Sequence, residues 1–104
     1  MTVKQFDSSI KIEGLMNEVA VIEDSLHFVL NEKIEELREH RAEFYYCVLN
    51  GILKKLKQEY KIMETKIPYK EQKRLKNLQQ QFFQNCSKSF QEQEKQEDNI
   101  VAID

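Results

Sequence analysis

Apolar residues recur along this chain at steps of three or four, the spacing of one face of an α-helix. One such stripe runs through Tyr45, Val48, Ile52, Leu56, Tyr60, Met63 and Ile67, and another through Leu75, Leu78, Phe82, Cys86 and Phe90. Pro68, the only proline, stands between the two. It has no amide hydrogen to donate and its ring clashes with the preceding turn, so a single straight helix does not run through it. It also biases Ile67 away from the helical region and is well suited to open a new helix. Two helices are therefore predicted to meet near 67–69, and so short a link makes them antiparallel neighbours. Leu56 and Phe82 are predicted to lie in the core between them.

An earlier stripe passes through Ile12, Leu15, Val19, Ile22, Leu26, Val29 and Leu37, broken at Lys33, where neighbouring Ile34 can substitute. Asp7, Ser8 or Ser9 can cap its first free amides. Gly14 either admits another backbone or is a tolerated surface glycine. No proline or glycine marks the end of this first helix. Asn31 could cap a new helix from Glu32, the polar run Arg38-Glu39-His40-Arg41 could carry a turn, or one helix could span 8–66. The second reading gives helices near 8–38, 42–66 and 69–96, of similar length, which lets all three bury their stripes along one bundle. Asn50-Gly51 lies inside a strong stripe and reads as mid-helix. Beyond Gln96 the periodicity is lost, and 97–104 reads as a frayed tail. The predicted fold is all-α: a single domain over 1–104, built as an antiparallel three-helix bundle. The alternative is a long helix plus a helical hairpin that dimerises.

Composition supports the helical reading. In a chain of 104 residues, 33% charged, two glycines and one proline are too few for the turns of a β-rich domain. No apolar run approaches the roughly 20 residues that cross a bilayer, and no signal peptide is visible at Met1, so a soluble, cytoplasmic chain is expected. The net charge of −2 conceals a division. Residues 1–40 carry four Lys/Arg against nine Asp/Glu, residues 41–78 ten against four, and residues 79–104 two against five. Such segments complement one another when packed side by side. Cys47 and Cys86 fall on or beside the stripes at similar distances from Pro68. They are expected to be reduced, buried and close together across the second and third helices.

Candidate chemistry is sparse. There is no Gly-rich phosphate loop, no carboxylate pair flanking a pocket, no Ser/His/Asp order and no metal-ligand cluster. His27 and His40 share no ligand spacing with either cysteine. The chain is accordingly expected to be no enzyme and to need neither cofactor nor metal. Lys66, Lys70, Lys73, Arg74 and Lys76 gather around the pivot with Tyr69. This basic tip could meet anionic lipid, but it is too small for a nucleic-acid duplex footprint. Leu30, Leu53 and Phe83, at the stripe edges, are the candidates for partner contact.

Several segments resemble the N-terminal three-helix Habc domain of syntaxins. Phe6-Asp7-Ser8-Ser9-Ile10, followed by Ile12-Glu13-Gly14-Leu15-Met16-Asn17-Glu18-Val19-Ala20, is similar to the start of a syntaxin first helix. Gln72-Lys73-Arg74-Leu75-Lys76-Asn77-Leu78-Gln79-Gln80-Gln81-Phe82 resembles the start of the third helix, and Ser89-Phe90-Gln91-Glu92-Gln93 its later part. The loops are shorter than is usual in syntaxins, and no SNARE heptad region or membrane anchor follows Asp104, so either the chain is an excerpt of a longer protein or the likeness is convergent. The resemblance implies a regulatory bundle on the cytosolic face of a membrane, presenting a groove to a helical SNARE segment or an accessory factor of vesicle fusion. The residues themselves point to a non-enzymatic helical interaction domain whose partner is a helix. The alternatives are a small coiled-coil assembly subunit that dimerises, and an adaptor docking on anionic membrane through the basic tip.

Overall fold

A computed structural model describes residues 1–93, in the order α1 (Val3–Leu30), α2 (Glu35–Met63) and α3 (Tyr69–Gln84), followed by a further helical segment at 88–93. There is no strand among the described residues. The fold is an all-α bundle of helices, and the tail read at 97–104 lies outside the described residues.

α1 starts earlier than its serines suggested. Thr2 is the cap: the Gln5 amide donates to Thr2 Oγ1 and the Thr2 amide to Gln5 Oε1, each at 3.1 Å, which forms a capping box. Ser8 is buried within the helix, and the Ser9 hydroxyl donates to the Phe6 carbonyl at 2.8 Å. α1 also ends earlier, at Leu30 rather than 38. Asn31 closes it, donating its amide to the His27 carbonyl at 3.2 Å. Glu32 then starts α2 from outside the helix. Its carboxylate accepts from the Ile34 amide at 3.3 Å and from Arg41 at 2.8 Å, while its carbonyl accepts from Arg38 at 3.3 Å. The run from Arg38 to Arg41 is therefore helical, and its two arginines fasten the turn that precedes it.

α2 ends in a Schellman motif. The Glu64 amide donates to Lys61 O at 3.1 Å and the Thr65 amide to Tyr60 O at 3.2 Å, with Glu64 itself left-handed at φ 60°. Glycine is the usual residue there, since it has no Cβ to clash in that conformation. Pro68 leads directly into α3, as its geometry requires, and its carbonyl accepts the Gln72 amide at 2.9 Å. α3 stops at Gln84 instead of running to 96. Asn85 turns its side-chain amide onto the Gln81 carbonyl at 2.8 Å. The Ser87 amide donates to the Glu43 carboxylate of α2 at 3.1 Å, and the Ser87 hydroxyl bonds the same oxygen. Gln91 donates to the carbonyls of Phe83 and Cys86 at 3.0 and 3.2 Å, tying the segment at 88–93 back across the break.

α2 lies at the centre. It packs extensively on α1 and on α3, whereas α1 and α3 touch little. Contacts of Tyr45 with Phe82 and of Asn50 with Gln79 show that α2 and α3 run antiparallel. The core comprises Val19, Ile22 and Val29 of α1, Ala42, Leu49, Ile52 and Leu56 of α2, Leu75, Leu78 and Phe82 of α3, and Cys86. Leu56 and Phe82 are fully buried, as expected. Val48 is not: the stripe that faces the core is Ala42, Tyr45, Leu49, Ile52, Leu56, one residue out of step with Val48. Nor is Cys47 buried, although Cys86 is. Cys47 stands two residues from Leu49, about 200° around the helix, and so on the far side from the core. A Cβ at Gly14 or Gly51 would meet nothing within 4 Å, so Gly14 is a surface glycine and not a point of backbone approach.

Candidate functional site

The second half of α2, the link and the first half of α3 frame an open groove of about 910 Å³. Leu53, Tyr60, Ile67 and Leu75 provide apolar walls, and Lys54, Lys57, Lys61, Lys66 and Lys76 line it as well. None of the lining residues is acidic. The arrangement follows from spacing. Leu53 and Tyr60 border the core stripe of α2, while Lys54, Lys57 and Lys61 recur at helical steps on the adjoining outer face. At one end Gln79 donates to Asn50 Oδ1 across the helices at 2.5 Å. At the other, the Gln72 side chain donates to the Ile67 carbonyl at 2.8 Å and steadies the link. Burial raises the pKa of the Tyr60 hydroxyl above its ordinary value, and the nearby Glu71 carboxylate adds to the shift.

The three expected contact residues do not form one patch. Leu53 lines the groove. Phe83 lies beyond the Asn50–Gln79 bond, half-buried against Tyr46 with ring centroids 5.3 Å apart, and Tyr46 also meets Phe90 at 5.8 Å. Leu30 is 47% exposed and sits beside the α1–α2 turn, at the opposite end of α2 from the pivot.

The basic tip is largely one surface: Lys70, Lys73, Arg74 and Lys76 line a shallow depression on the outer side of α3, and Lys76 also borders the groove, which Lys66 lines. Arg74 is the member already engaged. Its guanidinium bonds Glu23 of α1 and, at 3.2 Å, Glu71. These partners, the Glu23 hydrogen bond foremost, raise its pKa further above the ordinary arginine value. It ties α1 to α3 and is not an open cation. Sequence reasoning overlooked this tie, the Glu43–Ser87 clamp and the groove-facing set Lys54, Lys57 and Lys61. The lysines were legible as a helical repeat; the two carboxylate contacts span 51 and 44 residues and left no local signal.

A second surface lies on α1. Val3, Phe6, Ile10, Val21 and Phe28 are 53–80% exposed. At about 100° per residue they share one side of the helix, opposite the core-facing Leu15, Val19 and Ile22. The charged residues interspersed on that side, Glu13 and Asp24, are both acidic.

Among the described residues no group of His, Cys, Asp and Glu could hold a metal ion, and no helix is long and apolar enough to cross a membrane. No family model, no curated protein and no solved structure matches the chain.

Proposed function

We propose that the chain is a non-enzymatic interaction module that receives a helical segment of a partner protein in the α2–α3 groove. The observation that carries this reading is the pairing of apolar walls with five lysines and no carboxylate among the lining residues. An amphipathic helix with acidic flanks satisfies both, placing its apolar stripe on Leu53, Tyr60 and Ile67 and its carboxylates near the lysines. A concave apolar surface suits a helix better than a flat bilayer. The resemblance to syntaxin Habc domains gives the reading its finer form, in which the partner is a SNARE segment or an accessory factor of vesicle fusion at the cytosolic face of a membrane.

Fluorescence anisotropy with a labelled acidic amphipathic peptide tests it. Saturable binding should weaken at higher salt and be lost in the double variant Leu53→Asp with Lys57→Glu. Equal binding to that variant would overturn the reading. So would absence of peptide binding together with flotation on anionic vesicles, which would favour the membrane adaptor.

A further inference from the structure

We infer that the helix received by this groove is α1 of a second copy of the same chain, so that copies associate head to tail. The inference rests on the reading of the groove given above and names its occupant. Three properties of the two surfaces match. The groove is concave, and the outward side of α1 is a convex ridge. The groove has apolar walls, and the ridge presents Phe6, Ile10, Val21 and Phe28. The groove is lined by lysines without an acid, and the charged residues within the ridge are Glu13 and Asp24. Apolar contact with complementary charge is what a helix-in-groove interface requires.

The two surfaces cannot meet within one molecule. On α3, Arg74 reaches Glu23 of α1, whereas Lys76 lines the groove. Those residues are two apart, about 200° around the helix, so the groove faces away from α1. The ridge faces outward from the opposite side of the bundle, because Leu15, Val19 and Ile22 point inward. A ridge and a groove on opposite sides form a heterologous contact, which each added copy repeats instead of closing into a two-fold pair.

The test is a charge swap read by light scattering on the whole chain. The wild-type mass should rise with concentration past that of a dimer and fall as salt is added. Lys57→Glu with Lys61→Glu makes the groove less basic, and Glu13→Lys with Asp24→Lys makes the ridge basic. Each double variant alone should associate about tenfold more weakly or worse, because like charges then face each other. All four positions are exposed, and far-UV circular dichroism checks that each variant keeps its helices. Mixing the two variants should restore association, since the acidic ridge of the groove variant then meets the unaltered basic groove of the ridge variant. A wild-type chain that stays monomeric at every concentration overturns the inference. So does a dimer indifferent to the groove substitutions, or a mixture that stays as weak as its components. A monomer that still binds the acidic peptide would defeat this inference and leave the proposed function standing; a monomer that binds no peptide would defeat both.

Discussion

α1 and α3 both pack against α2, yet they are different kinds of helix. α3 is one-sided. Leu75, Leu78 and Phe82 point into the core, and most of the remaining surface is lysine and glutamine. α1 is apolar on two sides, with Val19, Ile22 and Val29 buried and Phe6, Ile10, Val21 and Phe28 in solvent. A one-sided helix is satisfied by a single neighbour, whereas a helix apolar on two sides exposes more apolar surface than its own domain covers. The same residue type therefore has different consequences in the two elements, and phenylalanine shows this most directly.

Four substitutions probe the contrast, from the largest expected effect to the smallest. Phe82→Ala removes a fully buried ring and should cost about 3–5 kcal/mol by urea denaturation. Ile22→Ala, on the buried side of α1, should cost about 2–5 kcal/mol; a cost near zero would show that α1 does not contribute its inner face to the core. Arg74→Gln removes the tie between α1 and α3 at a partly exposed site, where screening by solvent keeps the loss to about 0.2–1 kcal/mol. That loss should shrink further at high salt. Phe28→Ala, on the outward side of α1, should change the stability of the dilute chain by no more than about 0.5 kcal/mol. A cost comparable to that of Phe82→Ala would abolish the distinction between the two helices.

The sequence was legible wherever pattern and punctuation agreed. Pro68 marked the α2–α3 link because a missing amide hydrogen and a fixed φ act locally. The inward stripes of α1 and α3 were legible from spacing alone. The α1–α2 turn was legible only as one of three options, with Asn31 marking its place, because Ile34 and Leu37 continue the apolar pattern across it, and periodicity does not detect a turn that keeps the count. What makes the turn is Asn31 ending one helix and Glu32 starting the next with help from Arg38 and Arg41. The break at 85–87 stayed hidden for the same reason, since Cys86 within it and Phe90 after it remain packed on the core. Cys47 and Val48 were assigned to the wrong side because adjacent apolar residues on a helix allow two registers. Of the groove's lining, Leu53, Lys66 and Lys76 stand out in the sequence as stripe-edge and tip residues, while the groove itself is visible only once α2 and α3 are set side by side.

The central position of α2 also bears on how quickly the chain reaches this arrangement. Each principal interface joins elements adjacent in the chain, through links of only a few residues. Little loop entropy must be lost before either interface begins to return free energy. Helical topologies dominated by such near-neighbour contacts fold in about microseconds to milliseconds. Because α2 supplies one partner to both interfaces, the first hairpin to form can be α1–α2 or α2–α3, and either one presents α2 ready for the remaining helix.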